Sequence, residues 1–337
     1  MGMDGTSLYR TEQPLMEDYD QVGGVEVKRG TYKGIPSIEL KNEYVRCTFL
    51  PTYGSKLASL YDVTHDYEWL FQSNEDTLLA PPYGAPFSDY DSSGSDDMFP
   101  GIDQGPHPTV EGSIPDHGEV WAMPWDAEAG DDYLAFTVAS PRFPYELRKT
   151  VRLNGKALEF SYEAINHSNE PFPFIWTPHA LLNMNPSTTF EVPKGMTEVM
   201  NVEHASQHLG EWGRRHRFPK TYSEKSGNVI DLSRMEDKQA NNVEKFYFTE
   251  PLTEGWCRVI QGDLDATLTY TFEKDKVPYL GVWKTHGGYR GDYNFALEPC
   301  TGVYDDVYVA HKIGKASYIP ANGTYTWTFT MEIGGES

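Results

Sequence analysis

TYTWTFTM, residues 324–331, alternates large apolar side chains with threonine along its whole length. Successive side chains of an extended chain point to opposite faces, so Tyr325, Trp327, Phe329 and Met331 share one face and the threonines the other. A strand half-buried against a core has this pattern. It returns in ALEFSYEA (157–164), with Leu158, Phe160, Tyr162 and Ala164, and in TLTYTF (267–272), with Leu268, Tyr270 and Phe272. Val45, Cys47 and Phe49 in VRCTF alternate in the same way, and YLAFTV near residue 135 carries the same aromatic and β-branched load. Helical patterns are confined to short stretches such as HASQHLGEW (204–212), while glycine and proline punctuate the chain at close intervals. The chain therefore reads as all-β, a sandwich of many strands. No Ser/Gly-rich or Pro-rich spacer, long charge block or repeat divides it, so residues 1–337 are expected to form one domain.

The 337 residues include 50 Asp and Glu against 28 Lys and Arg, a formal net charge of −22. Such a field repels nucleic acid and anionic membrane, and it disfavours a highly phosphorylated substrate unless local arginines overrule it. Neutral or cationic small molecules fit better. Cys47, Cys257 and Cys300 are far apart and lack CxxC spacing, which suggests neither a disulfide framework nor a zinc site but a reduced, cytoplasmic protein. The polar, acidic start of the chain and the lack of a long apolar run point away from secretion and membrane insertion. Met1-Gly2 with Thr6 fits a myristoylation pattern, but its flanks are acidic where an anchor wants a polybasic patch, so the match reads as chance.

Residues 87–121, FSDYDSSGSDDMFPGIDQGPHPTVEGSIPDHGEVW, show little alternation and read as a long excursion from the sheets. The excursion ends in PDHGEVW, which groups an imidazole, two carboxylates, a glycine and an indole. These are the groups that bind a polyol and exchange its protons. Two more stretches combine imidazole, carboxylate or tryptophan at the end of a strand-like run: FIWTPHALLNM (174–184), with Trp176 and His179, and YNFALEPCTG (293–302), with Glu298. Interconverting sugar anomers needs a base for the anomeric hydroxyl proton and an acid for the ring oxygen, so one carboxylate and one imidazole suffice. Glu298 sits in an otherwise apolar strand end, where burial raises a carboxyl pKa toward the useful range.

In this order and with these residue types, the chain resembles the galactose mutarotase-like superfamily, the aldose 1-epimerases and their hexose-phosphate relatives. GSKLASLYD (54–62) is similar to the family's early strand-turn, DHGEVW to its His-Gly segment, TPHALLNM to its second-histidine segment, and PYLGVWKTHGGYRGDYNFALEPCTG to its catalytic-glutamate segment. The resemblance implies a large antiparallel β-sandwich and an aldose 1-epimerase acting on a small carbohydrate without metal or cofactor, as a monomer or homodimer. Carried over, it makes Glu298 the general base, His179 the acid at the ring oxygen, and His117 the residue that holds the ring oxygen and anomeric region.

The chain also departs from the family. Where hexose-phosphate relatives carry a sugar-binding arginine before FP, this chain reads SGSDDMFP; Asp96 and Asp97 there are expected to accept sugar hydroxyls and repel phosphate, which favours a non-phosphorylated sugar. Glu244 in NNVEKFYF is the nearest counterpart of an acidic residue that binds ring hydroxyls in relatives. Trp121, Trp125, Trp176 and Trp283 are candidate stacking platforms, although sandwich cores also consume tryptophan. His286 either lines the same pocket or caps a glycine turn, and His117 and His179 have plain readings as a turn residue and a core-edge histidine. Asp89, Asp91, Ser93 and Gly94 imitate an EF-hand start, but Pro100 stands where the bidentate glutamate belongs, and Cys300 reads as a small buried hydrophobe. The alternative function is a non-catalytic carbohydrate-binding protein of the same fold. Such a protein needs aromatics and hydrogen-bonding groups but no acid and base placed around one ring.

Overall fold

The computed structural model describes residues 20–22, 24–130 and 132–335. The Met1-Gly2 pattern and the start of the expected domain lie outside them. Three large antiparallel sheets build the chain. The first contains Val25–Tyr32, Ile35–Lys41, Val45–Leu50, Lys56–Asp62, Ser95–Met98 and, at one edge, Thr177–Ala180. The second has Tyr145–Asn154, Ala157–Asn166, Thr324–Gly335 and Ala266–Phe272 at its centre. The third runs Leu182–Asn183, Tyr293–Cys300, Tyr279–His286, Asn242–Phe248, Glu198–Asn201 and Arg215–Arg217.

The two most regular alternating stretches pair with each other: Phe160 opposes Phe329 and Tyr162 opposes Trp327, whose rings stack 4.9 Å apart. Trp327, Phe329 and Met331 are each 1% exposed, and fully burying a Phe or Met is worth about 1.5–3 kcal/mol. Phe49 of the first sheet meets Phe136 of the second at 5.5 Å, which closes the sandwich. One hydrophobic cluster runs from Ile35 to Ile333.

The stretch from Thr177 to Asn183 joins the third sheet to the first. Thr177–Ala180 pairs with Ser95–Met98, placing His179 opposite Asp96; two residues later Leu182 opposes Phe295 of Tyr293–Cys300. The Thr177 hydroxyl donates to the Pro299 carbonyl at 3.1 Å. The His179 strand is thereby held beside the Glu298 strand.

Two expectations are corrected. HASQHLGEW forms turns rather than a helix: the Ser206 hydroxyl takes the amides of His208 and Leu209, and Gly210 adopts φ +70. Local side-chain bonds of this kind compete with the helical ladder. The α-helix among the described residues is Val307–Lys312, capped by the Asp306 carboxylate on the amides of Tyr308 and Val309. Within the expected excursion, Ser95–Met98 is a sheet strand buried along its whole length. Among the described residues no helix is long and apolar enough to cross a membrane.

Candidate active site

On the third sheet, strand pairing decides which side chains share a face. Glu298 opposes Gly281, which opposes Tyr247; Ala296 opposes Trp283, which opposes Lys245; and Asn294 opposes Thr285. Residues directly opposite in an antiparallel ladder point to the same side. Glu298, Trp283, Lys245 and Asn294 therefore share one face. Gly281 makes room for the carboxyl, since a Cβ there would lie 2.8 Å from the Tyr247 ring and 3.2 Å from Glu298 Oε2.

The Glu298 side chain is fully buried, with His179 Nε2 3.5 Å from Oε1 and Lys245 Nζ 3.7 Å from Oε2. Neither carboxyl oxygen has a hydrogen bond within the described residues, and neither does His179 Nδ1. Burial raises the Glu298 pKa; the Lys245 ammonium opposes the shift and the Asp305 carboxylate adds to it. Burial, with the charges of His117 and Lys245, pushes His179 well below the usual imidazole range. Burial also works against the Lys245 charge, but Asp305, at 2.9 Å, and Glu298 outweigh it and raise the lysine.

His117 arrives on the turn of PDHGEVW. It adopts φ +59 and its amide donates to the Ile102 carbonyl at 2.7 Å. Nδ1 meets the Asp116 carboxylate at 2.8 Å, whose other oxygen takes the Phe87 amide at 2.7 Å. The ring stacks on Phe87 at 4.1 Å and stands edge to face with His179 at 5.6 Å. Glu119 is buried, accepting the hydroxyls of Tyr83 and Tyr145 at 2.5 Å each. The next position after His117 must be glycine: at φ +81, a Cβ on Gly118 would lie 2.4 Å from the Phe99 carbonyl oxygen. Gly118→Ala is expected to destabilise the protein by about 2 kcal/mol or more, given strain costs of about 1–3 kcal/mol per residue. It should also lower turnover by displacing His117. Thermal melts beside rate measurements check this; a variant with parental stability would show that the turn is not constrained.

His117, His179, Lys245 and Trp283 line a cleft of about 390 Å³, together with Phe87, Asp103, Trp212, Asn294 and Asp305. That volume lies within the range of about 300–1,000 Å³ typical of small-molecule sites. Trp212 is 47% exposed at the cleft, its ring 6.0 Å from that of Tyr304. Asn294 is buried, and its Oδ1 has no hydrogen bond within the described residues. Asp103 is raised to about 6 by burial and by the neighbouring Asp305 charge.

The structure brings His117, His179 and Trp283 to the cleft lining and encloses Glu298 behind them, against His179 and Lys245, and it takes the other sequence candidates elsewhere. Glu244 and His286 point to the opposite face of the third sheet from Glu298, because each is one residue away from a cleft-facing position. Glu244 pairs with Lys284 at 2.6 Å, close to His208 and Glu236. Its neighbour Lys245 is the residue that faces the cleft. His286 is fully buried, and burial lowers it to about 4. Asp96 is ion-paired with Lys56 at 2.6 Å and pushed up to about 6 by burial. Asp97 lies inside the sandwich, where it accepts from Lys149 at 2.8 Å and from Tyr162 and Trp176 at 2.9 Å each. Trp176 is fully enclosed there. Trp121 is also fully buried; its indole N–H donates to the Asp116 carbonyl, and its ring backs Phe87 at 4.9 Å. Asp96, Asp97, Trp121, Trp176, Glu244 and His286 are therefore engaged away from the cleft and do not line it. Sequence reasoning passed over Lys245, Asp305, Asn294 and Trp212. For Asn294 a signal existed, since it sits at even spacing from Glu298 on one strand.

Comparison with known proteins gives a match to the family model described as aldose 1-epimerase over residues 36–218. No curated protein matches the chain. Among solved structures, a candidate aldose 1-epimerase from Klebsiella pneumoniae subsp. pneumoniae has a TM-score of 0.68 at 14% identity, covering 92% of this chain and 83% of its own. A galactose mutarotase related enzyme from Lactobacillus acidophilus has a TM-score of 0.63 at 13% identity, covering 89% and 97%. A galactose mutarotase-like protein from Clostridium acetobutylicum has a TM-score of 0.62 at 12% identity, covering 93% and 99%. At these identities the structural likeness carries the fold.

Proposed function

The chain belongs to the aldose 1-epimerase family, and from that premise we propose that it is a single-domain isomerase interconverting the α and β anomers of a neutral, non-phosphorylated sugar. The observation that carries the proposal is the contact of His179 Nε2 with Glu298 Oε1, 3.5 Å apart in a desolvated setting at the cleft. Glu298 takes the proton of the anomeric hydroxyl as the carbonyl forms, and His179 protonates the ring oxygen as its bond to C1 breaks. The freed carbonyl turns over and recloses, with both protons returned. His117, held by Asp116 and Phe87, positions the ring oxygen and anomeric region.

Burial favours the neutral form of each group. The reactive form has Glu298 ionised and His179 protonated. Its carboxylate is the more basic for its raised pKa and its imidazolium the more acidic for its lowered one. Direct contact with a hydroxyl requires Lys245 to swing from Glu298 toward Asp305, already its nearer partner.

A non-catalytic carbohydrate-binding role draws on the full enclosure of the Glu298 carboxyl. Polarimetry of freshly dissolved α-aldoses separates the two readings. Neutral aldoses should interconvert faster than their 6-phosphates, because Asp103, Glu203, Asp292 and Asp305 line the cleft against the one ammonium of Lys245. Binding without acceleration would support the binding role. Tighter, salt-sensitive binding of the phosphate would overturn the neutral-substrate assignment.

A further inference from the structure

The face of the third sheet that looks away from the cleft carries its own group of polar side chains. Asn242 opposes His286 and Glu244 opposes Lys284, so these four share that face. His208, from the turn of HASQHLGEW, and Glu236 close over them. The ligating atoms of His208, Glu236 and Glu244 lie within 4.8 Å of one another, and the three residues line a hollow of about 190 Å³.

His286 sets this group apart from an ordinary ion-pair network. It is fully buried, neither ring nitrogen has a hydrogen bond within the described residues, and Nδ1 lies 3.6 Å from Glu236 Oε2. That separation is too long for a hydrogen bond, and a buried polar atom left without a partner is costly. It does suit two ligands of one ion. Bonds of about 2.0–2.2 Å to a tetrahedral zinc place its ligand atoms about 3.3–3.6 Å apart. His286 Nδ1 to Glu236 Oε2 at 3.6 Å and His208 Nε2 to Glu236 Oε1 at 3.0 Å bracket that spacing.

The surroundings orient these donors. Ser223 Oγ meets His208 Nδ1 at 2.9 Å, which fixes the ring and leaves Nε2 for an ion. Glu244 gives Oε2 to Lys284 at 2.6 Å and keeps Oε1 beside the Asn242 amide at 3.2 Å, so the ammonium leaves one carboxylate oxygen for a further cation. Burial and the Lys284 charge lower His286 to about 4, which keeps the imidazole in its neutral, ligating form. Two carboxylates against one ammonium leave negative charge to meet a dication, and two imidazoles select a transition ion over calcium or magnesium, which take oxygen ligands.

We propose that His208, Glu236, Glu244 and His286 bind one divalent transition ion, zinc by ligand type, which clamps the 204–236 stretch onto the strands Asn242–Phe248 and Tyr279–His286. On the opposite face from Glu298, the ion takes no part in proton transfer.

The test strips the full-length, tag-free chain with a chelator and titrates it with zinc chloride against a chromophoric competitor, beside thermal melts. One ion per chain should bind, and the melting temperature should rise by about 4 °C at a zinc concentration a hundredfold above Kd. His208→Ala and Glu236→Gln, at half-buried positions that tolerate change, should each weaken binding by about tenfold or more and remove the melting shift. Cobalt(II) in place of zinc should show the strong visible bands of a four-coordinate ion, and His286→Gln should lose them. Should His286→Gln fail to fold, the two half-buried variants decide. His179→Asn tests the rival site, the histidines of the cleft, and should leave zinc affinity unchanged. Zinc lost in His179→Asn but kept in His208→Ala overturns the proposal, as does the lack of stoichiometric binding or equal binding by every variant. Four-coordinate bands that survive in His286→Gln overturn the four-ligand assignment.

Discussion

Glu298→Gln is expected to slow anomer interconversion by about two to four orders of magnitude, the usual contribution of a positioned base, while sugar binding largely survives. Glutamine keeps the shape that Gly281 accommodates and loses only the ability to accept the proton. His179→Asn should behave alike, since the two residues act as one acid/base pair. The pH profile of kcat/KM should be bell-shaped. Below the lower limb both members of the pair are protonated and the base is lost; above the upper limb both are deprotonated and the acid is lost. The raised Glu298 and lowered His179 make the two limbs properties of the pair rather than of either residue. A Glu298→Gln rate within about a factor of two of the parent would place the base elsewhere and turn attention to carboxylates that line the cleft, such as Asp103 and Asp305.

Asp97→Ala should cost about 3–5 kcal/mol of stability, the loss that follows when one partner of a buried ion pair is removed. Lys149 is 3% exposed and would keep the Ser55 carbonyl at 2.9 Å as acceptor but no carboxylate, while the Tyr162 hydroxyl and Trp176 indole would each lose an acceptor in the closed sandwich. For a chain of this size the melting temperature should fall by at least about 6 °C, at about 2 °C per kcal/mol. The ranking of neutral against phosphorylated sugars should not move, because Asp97 is sealed from the cleft. A variant that melts within about 2 °C of the parent, or that gains activity on phosphosugars, would restore Asp97 to the substrate site.

The contrast between Asp97 and Glu298 marks how much was legible in the chain. Period-2 alternation determined the strands and the all-β class, because burying one face of a pleated strand requires apolar residues at every second position. Thr324–Gly335 and Ala157–Asn166 show it: their alternating residues are the ones the sandwich buries. Residue chemistry at strand ends singled out His117, His179 and Glu298, since a carboxyl in FALEP or a histidine before glycine is conspicuous without coordinates.

What only the tertiary structure decided is which way neighbouring residues face and who their partners are. Glu244 and Lys245 are adjacent in sequence, yet pairing with Lys284 and Trp283 sends them to opposite sides of one sheet. Asp96 and Asp97 looked free to meet a ligand until Lys56 and Lys149, some 40 and 52 positions away, were brought against them. A strand's side-chain period is two, so a single step in register reverses a residue's environment. That register is set by hydrogen bonds to chain segments far away in sequence, and a linear pattern does not encode them.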